Sequence, residues 1–196
     1  MALMPSTEPQ AAYSKEQRQT LLQVAHDSIR HGLEQGTALP VQAADFPEAL
    51  QAHRACFVTL HKAGQLRGCI GHLEAIQPLV QDVSENAYAA AFQDPRFSPL
   101  TASELDQIEL DISVLGKPEP LPYKDREDLI SRIRPGTDGL ILSAPTGHRG
   151  TFLPSVWEAL PDSEQFLQHL VMKAGLPSGY WSDDIRMERY TTESFS

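Results

Sequence analysis

The chain has 196 residues, 16 of them basic and 26 acidic, for a formal net charge of −10. That length suits one domain, or two small lobes sharing one core. With 41% hydrophobic and 21% charged residues it is too apolar for a disordered chain and long enough to bury a core without a disulfide or metal staple. Both halves are net negative, with 7 basic against 10 acidic side chains up to residue 98 and 9 against 16 beyond it. Basic residues nowhere cluster, which argues against nucleic acid and an anionic membrane surface as partners.

No apolar stretch approaches the ~18 residues needed to span a bilayer. Met1 to Tyr13 has neither the basic nor the apolar region of a signal peptide. With Pro5 and Pro9 it reads as a short disordered tail. Two cysteines suit a reducing compartment, so a cytoplasmic location is expected.

Ser14 and Gln17 form a capping-box pattern, after which Leu21, Leu22, Ala25, Ile29 and Leu33 recur at helical spacing until Gly32 or Gly36. Thr37 to Ala52 is a polar connection carrying Pro40 and Pro47. Cys56, Val58 and Leu60 alternate with Phe57, Thr59 and His61, a strand period. Lys62-Ala63-Gly64-Gln65 then reads as a turn and Leu66 to Ile70 as the returning strand. Pro78 suits the first position of a helix with Leu79, Val83, Ala87 and Ala90/Ala91 on one face, ended by Asp94-Pro95.

Ile108, Leu110, Ile112 and Val114 alternate with Glu109, Asp111 and Ser113 in a further strand. Pro118, Pro120 and Pro122 make an extended connector, and Asp125 caps a short helix to about Ile133. Gly139 to Ser143 and Gly150 to Leu153 flank the turn Pro145-Thr146-Gly147-His148 as a second hairpin. Asp162 caps a helix with Phe166, Leu167, Leu170 and Val171 inward and Gly175 past its end. A last strand runs from about Ile185 to Thr192. Helices and strands alternate, yet the hairpins demand antiparallel pairing, so the expected class is α+β rather than a doubly wound parallel sheet.

Leu66-Arg67-Gly68-Cys69-Ile70-Gly71-His72 places a thiol between two glycines, residues that admit close approach by a ligand or another backbone. In a regular strand Arg67, Cys69 and Gly71 share one face, and the guanidinium would favour the reactive thiolate. His72 would serve as a base if the chain turned back after Gly71. Cys69 as a small buried hydrophobe is the competing reading. Depending on the turn, either Cys56 or Val58 lies opposite Cys69, so a redox pair is conceivable, and a one-residue slip would put the two thiols on opposite faces.

There is no HxH, HExxH or CxxC spacing, and no GxSxG, P-loop or GxGxxG pattern, so no metal or cofactor is implied. Glu109 and Asp111 read first as solvated charges and second as paired carboxylates. Asp94-Pro95-Arg96-Phe97 is a stiff turn in which Arg96 pairs with Asp94, and it could rim a cleft. Arg149, in the glycine turn Gly147-His148-Arg149-Gly150, could hold an anion.

These segments resemble a known family. Leu66 to Gly71 (LRGCIG), Asp94 to Leu100 (DPRFSPL), Ile108 to Leu115 (IELDISVL), Gly139 to Leu142, Gly150 to Glu158 (GTFLPSVWE) and Leu160 to Pro177 are similar to the blocks of the AMMECR-type domain. Within it the chain is most like the bacterial branch of the AmmeMemoRadiSam system. The resemblance implies an α+β domain over residues 14–196, in which two similar β-and-α units around a barrel-like, mainly antiparallel sheet form two lobes with a cleft. The family's activity is unassigned. Bacterial members are associated with a Memo-like protein and a radical S-adenosylmethionine protein, which implies a shared pathway. Two positions depart from the family pattern: His72 stands where many relatives have a small hydroxyl residue, so a histidine base is not general to the family, and Ser155 stands where many have glutamine.

Two functions compete. The first is an enzyme or carrier for a small molecule, with Cys69 as nucleophile or thiol ligand, Arg67 holding an anionic group, His72 as base, and Gly68, Gly71, Asp94, Arg96 and Arg149 at the cleft. The second is a non-enzymatic adaptor for the Memo-like and radical S-adenosylmethionine proteins. A weaker third reading makes Cys56 and Cys69 a redox sensor.

Overall fold

Helix α1, Lys15–Gln35, begins where its sequence says it should. Ser14 Oγ accepts from Gln17 N–H and Gln17 returns the bond to Ser14 N–H, while Gly36 in the left-handed region ends the helix. The computed structural model describes residues 12–196, so most of the tail expected over Met1 to Tyr13 lies outside the described residues. Tyr13 itself is buried, and the backbone N–H groups of Ala12 and Tyr13 donate to Glu193.

The chain divides into two units, one running to Leu115 and taking in Glu193–Ser196, the other Gly116–Thr192. In the first, the connection expected to be irregular carries a short helix α2, Glu48–Gln51. Strands β1, Cys56–Lys62, and β2, Gln65–Gly71, form a hairpin, followed by α3, Leu79–Phe92, and β3, Ile108–Leu115. Pro78 sits just outside α3 with extended backbone rather than as its first residue. The strand expected from Ile185 to Thr192 is broken at Thr191 into β7, Arg186–Tyr190, of the second unit and β8, Thr192–Phe195, which completes a sheet of order β2-β1-β3-β8. Leu21, Ile29, Val58, Leu60, Leu79, Val83 and Ile112 are wholly buried in this unit's core.

The second unit holds β4, Glu119–Pro120, α4, Arg126–Arg132, β5, Gly139–Ser143, β6, Arg149–Phe152, α5, Ser163–Lys173, and β7, in a sheet of order β4-β7-β5-β6. Asp125 and Asp162 cap α4 and α5 through Asp128 N–H and Gln165 N–H. Trp157 stacks on Phe166 at 3.8 Å and donates its indole N–H to the carbonyl of buried Asp138.

The class is therefore mixed helix and antiparallel sheet, but the expected barrel is not formed; there are two separate four-stranded sheets. The edges explain why closure fails. The free side of β2 is occupied by Asp94 and Arg96, which bond the N–H and C=O of Cys69. At one edge of the other sheet, β4 has only two residues, one of them Pro120, which has no N–H to offer a further strand.

Candidate functional site

The β1–β2 turn is the two-residue Ala63-Gly64, both at positive φ (51° and 73°), with Lys62 paired to Gln65. Continued regularly, that register would set Arg67 opposite wholly buried Leu60. Instead a bulge shifts the ladder after His61–Leu66, so that Leu60 faces Gly68 and Thr59 faces Cys69. The bulge keeps a guanidinium out from under α3 and puts a glycine there. An ideal Cβ on Gly68 would lie 2.1 Å from the Ala90 carbonyl oxygen, so glycine is required by close helix approach.

This shift corrects three sequence expectations. Thr59, rather than Cys56 or Val58, lies opposite Cys69. Cys56 and Cys69 therefore occupy opposite faces and both are free thiols, leaving the redox pair without geometry. Arg67 is the residue the bulge leaves without a partner in the ladder. Its Nε and Nη2 donate to the two carboxylate oxygens of Glu104 at 3.0 and 3.1 Å, and Nη2 also reaches Ser98 O. Glu104 also binds Lys62 Nζ at 3.0 Å and caps Thr101. The Thr101-x-x-Glu104 capping box was the sequence signal for this carboxylate.

The cation beside Cys69 is Arg96. Its Nη2 bonds Asp94 Oδ2 at 2.7 Å and reaches Cys69 O at 3.4 Å, while Asp94 accepts from Cys69 N–H at 3.0 Å. Hydrogen bonding to Asp94 raises the Arg96 pKa first, and the Cys69 side chain adds to the rise. Thr59 Oγ1 donates to Cys69 Sγ at 3.2 Å. Thr59 is in turn opposite Asp111 on β3, so thiol, hydroxyl and carboxyl form one row across three strands. Burial raises the Asp111 pKa, against His61 and Ser113, which lower it.

Asp94 and Glu104 are held well below the ordinary carboxylate range, Asp94 chiefly by the Arg96 side chain and Glu104 chiefly by Arg67. A carboxyl depressed in the folded state is protonated more readily when unfolded. Its contribution to stability is complete above its ordinary pKa, 3.8 for Asp94 and 4.5 for Glu104, and is lost as the pH falls further. The urea midpoint read by circular dichroism is expected to be level near neutrality and to fall from about pH 5 downward. Glu104→Gln is expected to start lower and fall less steeply; an equal slope in the variant would remove Glu104 from the account.

His72 lies on the other face. Its backbone N–H extends the ladder to Cys56 O, and its Nδ1 lies 2.5 Å from Oδ1 of Asp82, a residue of α3 that is wholly buried. Asp82 also accepts from Cys56 N–H, Cys56 Sγ, Gln77 and Asn86. With four other donors on the same carboxyl, Asp82 is the acceptor of this pair, and the contact fixes the orientation of the His72 ring. Burial first, then Asp82, pushes the Cys56 thiol well up, so this thiol is an inert donor. Asp82 escaped the sequence reading, although a carboxylate three residues after Leu79, within the apolar face of α3, was its signal.

Of the other expected residues, Gly71 lies opposite Phe57, where a Cβ would meet that ring and Cys56 O. Arg149 opens β6 of the other unit, opposite Ser143, and is exposed. Among the described residues no group of three or more His, Cys, Asp or Glu is placed to share a metal ion, and no helix is long and apolar enough to cross a membrane.

The AMMECR1 family profile matches residues 22–195. A protein from Methanothermobacter thermautotrophicus is 39% identical over 191 residues, covering 94% of this chain and 96% of its own. One from Methanocaldococcus jannaschii is 38% identical over 158 residues, 76% of each chain. The crystal structure of an uncharacterised protein from Pyrococcus horikoshii superposes with a TM-score of 0.80 at 32% identity, covering 93% of this chain and 92% of that one. With a profile match across nearly its whole described length and relatives similar over most of theirs, the chain belongs to the AMMECR1 family.

Proposed function

We propose that this protein acts on, or carries, a small anionic molecule through the Cys69 thiol, with Arg96 rather than Arg67 as the group that holds the anion. The reading rests on the row of Cys69, Thr59 and Asp111 beside the Arg96 guanidinium. Arg67 pairs with Glu104 and Ser98 and its unpartnered Nη1 is buried, whereas the Arg96 side chain, though paired with Asp94, is 55% exposed and open to a ligand. Asp111, its pKa raised by burial, is suited to give a proton to a group leaving or adding at the thiol.

Native-state alkylation followed by intact mass tests this. Cys69 is expected to react in the folded protein and Cys56 only after unfolding. In Arg96→Gln the rate with anionic iodoacetate, relative to neutral iodoacetamide, is expected to fall about fivefold, the factor supplied by a charge interaction of about 1 kcal/mol. Cys69 labelling seen only in urea would end the thiol reading.

A second reading, the adaptor role toward Memo-like and radical S-adenosylmethionine proteins, is favoured by Leu73 and Ile76. Both lie in the loop after β2 and are 44% and 59% exposed. Loss of co-purification with such partners in Leu73→Ser/Ile76→Ser, with Cys69 reactivity unchanged, would support it.

A further inference from the structure

We propose that the pocket between the C-terminal end of α1, β2 and α3 binds a small organic cation, a primary ammonium, against Glu85, with the His72 ring as a neighbouring wall. This site is separate from the thiol row. Cys69 belongs to the face of β2 carrying Thr59, whereas Ile70 and His72 belong to the face under α3. The cavity measures about 560 Å³, with Ile70 and His72 on one side, the Gly36 end of α1 on another, and Glu85, Asn86 and Tyr88 of α3 on the third.

Its chemistry is set by what each wall has left to offer. Asp82 holds the His72 ring through Nδ1, so the ring is fixed as one wall of the pocket. The amide N–H groups of Asn86 are spent on Asp82 and Cys56 O, leaving its carbonyl oxygen. The Tyr88 hydroxyl spends its proton on Gly36 O at 2.8 Å, leaving oxygen lone pairs. Glu85 is exposed and accepts from Gln77. The end of α1 that borders the pocket is the negative end of its dipole, with no basic residue in its last turn. Neither Lys nor Arg lines the cavity. The Glu85 carboxylate, the remaining acceptors of Asn86 and Tyr88 and the negative end of α1, with apolar Ile70 and Ala89 between them, favour an alkylammonium over a carboxylate.

The probes are n-butylammonium, n-butyrate and n-butanol, each titrated into the full chain while the His72 ring resonances are followed by NMR. Those resonances are assigned by their loss in His72→Ser. Butylammonium is expected to shift them saturably, and Glu85→Gln, a change at an exposed position, is expected to weaken binding about threefold to fivefold. Iodoacetamide labelling of Cys69 is expected to proceed at the same rate with the amine bound. A saturable shift by butyrate at equal or lower concentration, no saturable shift by the amine, or unchanged affinity in Glu85→Gln would each overturn the proposal. None of these outcomes bears on the reactivity of Cys69, so the two readings fail separately.

Discussion

Asp82→Ala is expected to destabilise the first unit by about 3–5 kcal/mol, the range for removing one partner from a buried charged network. The carboxylate gathers Cys56 N–H, Cys56 Sγ, His72, Gln77 and Asn86. Without it, the Cys56 N–H and Asn86 lose a partner at positions water reaches only by opening the core. Both tryptophans of the chain, Trp157 and Trp181, belong to the second unit, so their fluorescence does not report this loss directly. Cys56, wholly buried, does. Its labelling in a Cys69→Ser background should move to lower urea by roughly 2 M, taking a denaturant slope of about 2 kcal/mol per M. A shift of a few tenths of a molar would mean that the cluster reorganises around the missing carboxylate. The His72 ring should also lose its fixed orientation and with it the saturable response to butylammonium.

Gly68→Ala is expected to cost about 3 kcal/mol, the upper part of the range for forcing atoms into a packed core. The added methyl would meet the Ala90 carbonyl oxygen at 2.1 Å and its carbon at 3.1 Å. Both are backbone atoms of α3, so no rotamer change relieves the clash. Strand and helix must part, and Val58, Leu60, Val83 and Ala87, all buried between them, lose contact together. The same Cys56 probe reads the result. Near-native stability would show that α3 has slack over β2 and that the glycine answers another need. Gly68 is not at positive φ, so turn geometry would not be that need.

Sequence alone carried the helices well, because their punctuation is local. Ser14 with Gln17, Asp125 and Asp162 each name a start, and Gly36 and Gly175 mark ends at positive φ. What it could not carry was the bulge. Alternation places Arg67 and Cys69 together, and only the approach of α3, a tertiary fact, makes Gly68 the residue that must lie under the helix. From that single shift follow the separation of the two thiols and the exchange of Arg67 for Arg96 beside Cys69. The site was legible as residue types but not as partners. Arg67, Cys69, His72, Asp94 and Arg96 all matter to the local geometry. Glu104 and Asp82, which decide what Arg67 and His72 can do, lie 37 and 10 residues away.

The break at Thr191 has a consequence for how the chain assembles. Gly116 N–H donates to Thr191 O at 2.7 Å, joining the first residues of the second unit to its last. The segment between β3 and β8 is therefore not a slack tether once folded but a loop already closed at its neck. Closing so long a loop from the unfolded chain carries an entropic cost that must be met before β8 can add to the first sheet. If Gly116–Thr192 folds first, that cost is met within the insert, and β8 is delivered to the level of the residue that follows β3. The order of synthesis agrees, since residues 193–196 leave the ribosome after the whole insert. In that order the first sheet is completed only after the second unit, although it holds β1, the first strand of the described residues.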